Sequence, residues 1–192
     1  MKIKLKHNFI NRAHDLKELI DNCYKLSTFC NRLEKQSLLY PNRYDPDKYK
    51  GDGFELLVEA LIKLSPIDNR IGIGNYEPIQ ADDTGVDGIG IGIDNEIATV
   101  QIKYRSNSQQ KLTANKDHLS NFVMTSLMKY KVNSDTKTNM LIITTADGLH
   151  HFTDNEMFLN QVRCIGYKQL RELLDNNKLF WNNFKKLLNF NK

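Results

Sequence analysis

The sequence predicts an α/β fold, with a mixed β-sheet covered by helices on both sides and an N-terminal helical extension. Three observations predict it. Helical apolar stripes occur before, between and after short runs of apolar and β-branched residues. Two such runs flank Asp94 and Asn95, which have turn chemistry, so they predict a β-hairpin. A long helical stretch precedes them all, and we divide the chain into an extension, 1–50, and a main domain, 51–192.

The first half of the chain is predicted to contain two helical regions joined by a loop. Residues 8–39 have apolar side chains near the helical period and contain no glycine or proline, which predicts helix. The segment 40–53 is rich in Pro, Asp, Gly and Tyr and is typical of a linker or an exposed loop. The next predicted helix, 53–64, carries an apolar stripe, and Asp52 is placed to cap its start.

The remaining elements alternate between strand and helix signals. Residues 70–79 have the pattern of a strand or a loop, and the two hairpin strands are predicted at 86–93 and 97–104. Residues 140–145, MLIITT, form the short β-branched run expected of a buried strand. Further elements are predicted at 116–130 (helix), 161–165 (strand), 167–175 (helix) and 178–190 (helix).

The composition suits one domain of ordinary size with an extension, since the chain has 192 residues, 40% hydrophobic and 26% charged. No apolar run approaches the roughly 18 residues of a membrane span, and the N-terminus lacks the apolar stretch of a secretory signal. The three cysteines form no CxxC motif, which argues against a disulfide framework and a zinc knuckle. We therefore expect a cytoplasmic protein without a membrane partner. No P-loop is present, so ATP hydrolysis is not expected.

Charge is distributed in three blocks. Residues 51–100 carry 10 acidic side chains against 2 basic ones, whereas the segments before and after carry net charges of +5 and +7. Such runs often mean only a solvated surface. The alternative is a carboxylate site for a divalent cation, flanked by surfaces that attract phosphates. Composition does not choose between the two.

Three polar side chains on the predicted hairpin suit phosphodiester hydrolysis. Asp87 lies on the first strand, while Gln101 and Lys103 are two residues apart on the second, so strand alternation points both to one face. A carboxylate can hold the divalent metal that polarises a phosphate, usually Mg²⁺, and a nearby cation stabilises the developing charge. Glu55, on the preceding predicted helix, can add a second carboxylate.

A purely structural interpretation of these residues also stands. Gln101 and Lys103 can form the solvated face of an edge strand, with Asp87 as a turn residue. The glycines of TGVDGIG favour the functional interpretation, because they let a backbone or a phosphate come close to Asp87.

The hairpin register tests the functional interpretation. Regular pairing around a two-residue turn at Asp94 and Asn95 would place Asp87 opposite Ile102, so the carboxylate would face away from Lys103. We therefore predict an odd-length loop or a β-bulge in this glycine-rich hairpin.

Three motifs occur in an order that resembles a known family. GDGFE, TGVDGIG and VQIKYR look like the Mrr-like branch of the PD-(D/E)XK, or restriction-endonuclease-like, superfamily. In that branch a helix with FE is followed by GVDG and by a strand with QxK, where Gln replaces the usual Asp or Glu. The later segment LIITTADGLHHFTDNE, with VRCIGYKQLRELL after it, is similar to the family's strand, Thr-rich turn and final strand-helix unit. The resemblance covers roughly residues 51–175 and implies a restriction-endonuclease-like sheet core.

The resemblance also implies roles for particular residues. It implies a metal-binding Asp87, a second ligand at Gln101, a catalytic Lys103, a supporting acid at Glu55 and a further ligand in the carbonyl of Ile102. Two departures matter. Val86 precedes Asp87 where the family usually has proline, and a neutral Gln binds metal more weakly than a carboxylate. Glu59, one helical turn from Glu55, is the alternative helix acid.

The expected function is a DNA endonuclease that uses Mg²⁺, with Mn²⁺ as a substitute, to make a nick or a double-strand break. A homing-type or restriction-type role in a phage or mobile element fits its size, and cutting both strands calls for a homodimer or two sequential events. Alternatives are a DNA-binding module that has lost cutting and a nuclease subunit with a helicase partner. The basic residues expected to contact DNA are Arg105, Lys111, Lys116 and, in the extension, Arg43.

Overall fold

Five strands form one mixed β-sheet in the structure, a computed structural model that describes residues 3–39, 44–65, 70–79, 85–113, 119–133, 139–150 and 161–188. The strands are β1 (Ile73–Pro78), β2 (Gly88–Gly92), β3 (Ile97–Lys103), β4 (Met140–Thr144) and β5 (Arg163–Ile165). They lie side by side in chain order. The first three form an antiparallel meander, whereas β4 pairs parallel to β3 and β5 parallel to β4. The predicted mixed sheet is confirmed.

Helices cover both faces of the sheet. They are α1 (Ala13–Ile20), α2 (Leu26–Ser37), α3 (Pro46–Leu64), α4 (Leu119–Met128), α5 (Tyr167–Leu174) and α6 (Lys178–Leu188). One apolar core joins α1, α2, α3, α5 and α6 to the sheet, and a second joins α4 to the opposite face. Within the described ranges, no helix has the length and hydropathy needed to cross a membrane.

The extension shares its core with the main domain. Helix α3 runs across the 50/51 boundary, and Phe29 of α2 packs against Trp181 of α6 with ring centroids 6.1 Å apart. Both rings belong to the apolar core that also contains the inner residues of β3 and β4. The first helices therefore stabilise the face of the sheet that α3 covers.

The helix predicted over 8–39 is interrupted, which corrects the sequence interpretation. A 3₁₀ turn precedes α1, and the chain reverses between α1 and α2 at Asn22, which has a φ of 51°. Arg32 stabilises the reversal because its guanidinium donates to the carbonyls of Glu18 and Asp21 at 3.1 and 2.6 Å. This capping is a tertiary contact, so helical periodicity alone does not show it.

The predicted loop 40–53 is also partly wrong, because α3 already begins at Pro46. Asp45 caps it by accepting from two backbone N–H groups at 2.8 and 3.1 Å, so Asp52 is not the cap. Gly53 serves helix packing, because a Cβ there would lie 2.5 Å from Leu33 of α2. Proline in the first turn of a helix and glycine at a close helix contact give this part of the chain the composition of a loop, although it is helical.

The hairpin has the odd-length loop that its register predicts. Ile91 pairs with Ile97, which leaves five residues, 92–96, between the paired positions. Asn95 in this loop adopts a φ of 65°, and the side chain of Asp94 accepts from the N–H of Glu96 at 3.1 Å. Continuing the register one step past β2 places Asp87 opposite Gln101 rather than Ile102.

Candidate active site

The candidate site lies at the carboxyl end of β3, where Asp87 leaves the sheet ladder. The Asp87 carboxylate accepts a hydrogen bond from the backbone N–H of Ile102 at 2.5 Å. Its own N–H donates to the carbonyl of Val100 at 2.9 Å, although the ladder partner of Val100 is Gly88. The hydroxyl of Tyr76 contacts the Asp87 carbonyl at 3.4 Å. Asp87 is thus held on both its backbone and its side chain.

Burial and a second acid raise the pKa of Asp87 to about 7. Burial has the largest effect, and the negative charge of Glu55 adds to it. The hydrogen bond from Ile102 and the positive charges of Lys103 and His7 act in the opposite direction without cancelling the shift. Because the interaction between charges weakens with distance, these groups lie near one another. A cation bound among them would offset the unfavourable interaction between the two acids.

Helix α3 supplies two acids to this neighbourhood, and the N-terminal segment supplies a histidine. The Nε2 of His7 lies 3.0 Å from an oxygen of Glu55. Possible ligand atoms of His7, Asp52 and Glu55 all lie within 4.8 Å of one another. Burial, followed by the charge of Glu55, raises the pKa of Asp52. Oxygen and imidazole donors at this spacing suit a divalent metal ion.

Glu59 has a different environment from Glu55. It is fully buried, and its carboxylate accepts from the backbone N–H groups of Lys6 and His7 at 2.7 and 2.9 Å. One of its oxygens is also 2.6 Å from the ammonium of Lys63. Because its oxygens already bind the chain, Glu59 anchors the N-terminal segment, and the geometry favours Glu55 as the helix acid of the site.

His7 is a site residue that the motif analysis did not find. Burial opposes the charged form of its imidazole, but the hydrogen bond to Glu55 and the surrounding acids outweigh burial and raise the pKa of His7. A weak signal exists in the first residues, because the segment buries alternate side chains: Leu5, His7 and Phe9 are buried. A histidine within such an alternation faces the interior, where polar groups require partners.

Gln101 lies beside Asp87 in the register, but its amide does not join the acids. Thr99, two residues earlier on β3, bonds to Ser126 of α4 at 2.8 Å, which identifies this face of β3 as the α4 side. The Gln101 side chain is fully buried next to Gly85. Within the described residues, neither its Nε2 nor its Oε1 has a hydrogen-bond partner. An unsatisfied buried amide is uncommon and calls for a partner.

Lys103 borders a basic pocket together with Ile102, the residue whose N–H binds Asp87. The pocket has a volume of about 350 Å³ and is lined by Ile102 and Lys103 of β3, by Arg105 and by the first turns of α3. Lys50, from α3, lines it as well and pairs with Asp47 at 2.8 Å. Three basic side chains around one concave surface suit an anionic ligand such as a phosphate.

The structure describes two of the four residues predicted to contact DNA. Arg105 lines the basic pocket, and its guanidinium donates to the carbonyl of Tyr104 at 2.7 Å. Lys111 is exposed on the segment that follows. Lys116 and Arg43 lie outside the described residues.

The structure therefore bonds Asp87 to Ile102 beside Lys103, groups Glu55 with Asp52 and His7, and leaves the Gln101 amide on the α4 side of β3. The charge of Glu55 also raises the pKa of Asp87. Such an arrangement can hold a cation at partly buried carboxylates and an anion in the basic pocket at the end of β3. Comparisons with protein-family models, with curated proteins and with solved structures found no match for this chain.

Proposed function

We propose that this chain is a metal-dependent endonuclease of the PD-(D/E)XK type, Mrr-like branch, that hydrolyses phosphodiester bonds in DNA. One observation carries the proposal: the partly buried carboxylate of Asp87, whose pKa is raised by burial and by the charge of Glu55, is bound to the backbone of Ile102 directly before Lys103. A general DNA-binding surface would not require two acids to lie where their charges act unfavourably on each other beside a lysine.

The order of elements supports a restriction-endonuclease-like core. Helix α3 carries Glu55, Asp87 directly precedes β2, and β3 ends in the Gln-x-Lys sequence. After α4, strand β4 leads into Thr144 and Thr145, and β5 is followed directly by α5. This is the succession that the sequence resemblance implies.

The donor groups fit a divalent cation. Asp87 and Glu55 would hold Mg²⁺, or Mn²⁺ in its place, since both ions prefer carboxylate oxygens. The resemblance adds Gln101 and the carbonyl of Ile102 as further ligands. A bound cation would polarise a phosphate oxygen and lower the pKa of a water molecule.

The basic groups of the chain have separate tasks in this proposal. Lys103 follows Ile102, whose N–H binds the Asp87 carboxylate, and its positive charge opposes the rise in the pKa of Asp87, so we assign it the task of stabilising charge on the scissile phosphate. Lys50 and Arg105 line the same pocket and would bind the phosphate oxygens that orient the DNA. These contacts carry no base specificity.

Cleavage of supercoiled plasmid in the presence of Mg²⁺ tests the proposal. We expect wild type to form nicked and then linear DNA, and Asp87→Ala and Lys103→Ala to lose about 100-fold or more of the rate. Lys178→Ala, at an exposed position at the start of α6, is the matched control and should cut like wild type. Wild type that is inert with both Mg²⁺ and Mn²⁺ would contradict the proposal.

A second candidate, a DNA-binding module that no longer cuts, is favoured by Gln101. Its side chain is neutral and makes no hydrogen bond to the acids within the described residues. In that case wild type and Asp87→Ala would bind DNA with equal affinity, and neither would cut it. DNA binding measured beside the plasmid assay separates the two functions.

A further inference from the structure

The N-terminal segment runs along α3 in the opposite direction and is fixed to it at several points. Leu5 and Phe9 are buried in the core on this side of the sheet. The backbone of Lys6 and His7 binds the buried carboxylate of Glu59, and the ammonium of Lys63 donates to the carbonyl of Lys4 at 3.0 Å. Backbone contacts of this kind fix where the His7 ring can lie.

The hydrogen bonds of the His7 ring define its tautomer. Its Nδ1 accepts from the backbone N–H of Phe9 at 3.2 Å, so this nitrogen carries no hydrogen in the neutral ring. The hydrogen of the neutral ring is therefore on Nε2. That nitrogen lies 3.0 Å from Oε2 of Glu55 and donates to it.

We propose that His7 is a positioning residue of the nuclease site: its Nε2–H holds Oε2 of Glu55 and so orients the carboxylate toward the cation shared with Asp87. This inference rests on the proposed function. The N-terminal segment would then contribute to metal binding, because a hydrogen-bond donor to a metal-binding carboxylate fixes the orientation of that carboxylate and strengthens its binding of the metal ion.

The competing arrangement has His7 as a direct metal ligand with Asp52 and Glu55, whose ligand atoms lie within 4.8 Å of one another. Ligation through Nε2 would require the hydrogen on Nδ1, facing the N–H of Phe9. The bond from Phe9 would then be lost and a buried donor left without its acceptor. The geometry therefore favours positioning over ligation.

Titration of the full chain with Mn²⁺, followed by electron paramagnetic resonance, tests the inference. We expect His7→Ala to weaken Mn²⁺ binding by 10- to 100-fold, the usual effect of removing such a donor. His7→Gln should recover part of the affinity, since its amide can donate to Glu55. His14→Ala is the matched control, because the side chain of His14 is 85% exposed, and it should bind like wild type.

A spectroscopic signature separates positioning from ligation. Electron spin-echo spectra of the Mn²⁺ complex should show no directly bound ¹⁴N in wild type. A ¹⁴N coupling that disappears in His7→Gln would overturn the positioning role and make His7 a ligand. Nitrogen NMR of the metal-free wild type, recorded above the raised pKa of His7, should show the neutral Nε2–H tautomer, and an Nδ1–H tautomer would also overturn it.

Failure of this inference differs from failure of the proposed function. If Asp87→Ala weakens Mn²⁺ binding but His7→Ala does not, the metal site stands and the role of His7 is overturned. If wild type does not bind Mn²⁺, or Asp87→Ala binds it equally well, the proposed function falls and the inference falls with it.

Discussion

The carboxylate of Asp87 accepts the backbone N–H of Ile102 at 2.5 Å across the open end of the β2–β3 hairpin. A side chain here joins the strands beyond the last pair of the ladder, Gly88 with Val100. The contact holds the hairpin together and positions the acid beside Lys103. Because partial burial and the charge of Glu55 both raise the pKa of this carboxylate, its charge is unfavourable for the metal-free fold. Asp87 therefore joins the two strands and, in the proposed function, also binds the metal ion.

The contribution of Asp87 to the stability of the metal-free protein should fall as pH rises, and Asp87→Asn should remove that contribution. The pKa of Asp87 is raised from 3.8 to about 7, so its contribution is fully present below the lower value and lost as pH rises through the higher one. We expect Asp87→Asn to gain about 1–4 kcal/mol relative to wild type between pH 5 and pH 8. Urea unfolding in EDTA measures the free energy of unfolding of both proteins. A difference between variant and wild type that does not change with pH would contradict the raised pKa of Asp87.

Divalent metal should stabilise wild type and leave Asp87→Asn nearly unchanged. A ligand that binds only the folded state at 100 times its Kd adds about 2.7 kcal/mol to the free energy of unfolding. We expect the midpoint of thermal unfolding to rise with Mg²⁺ or Mn²⁺ in wild type only. An equal rise in the variant would place the bound ion elsewhere on the chain.

Loss of Glu59 should destabilise the protein because its carboxylate anchors the N-terminal segment. Glu59→Ala leaves two backbone N–H groups without their acceptor and removes the carboxylate that pairs with Lys63, and we expect a loss of about 2–4 kcal/mol in urea unfolding. Glu77→Gln is the control. Glu77 pairs with Lys6, and both side chains are about half exposed, so its loss should cost less than about 1 kcal/mol. Similar losses of stability in the two variants would show that Glu59 does not anchor the N-terminal segment.

Gly88 should not tolerate alanine, because a Cβ there would lie 2.3 Å from the ring of Tyr76. We expect Gly88→Ala to lose about 1–3 kcal/mol of stability, since the buried ring has to shift. Tyr76 also contacts the carbonyl of Asp87, so the proposed DNA cleavage should fall as well. Gly74→Ala on β1 is the control, because a Cβ at Gly74 meets nothing within 4 Å. Equal stability of the two variants would show that the close contact does not matter.

The sequence predicts the sheet well because its signals there are local. β-branched residues define β4, alternation defines β3, and the need for Asp87 and Lys103 to share a neighbourhood predicts the odd hairpin loop. The beginning of α3 is missed for a physical reason. Gly53 looks like a loop residue in the sequence but serves a close contact with Leu33.

The residues that form the site are harder to predict, because they are distant from one another in the sequence. His7 and Glu55 are 48 residues apart, and no spacing rule connects an extended N-terminal segment to one face of a later helix. The buried amide of Gln101 is a similar case. Alternation predicts the face of β3 on which Gln101 lies, but only α4 shows that this face is covered.

Anomalous diffraction from crystals grown with Mn²⁺ shows whether Asp87 and Glu55 hold one cation between them. We expect one strong peak between Asp87 and Glu55, about 2.0–2.3 Å from a carboxylate oxygen of each, with His7 still bonded to Glu55. A peak only at surface carboxylates, or none between these two acids, would contradict it.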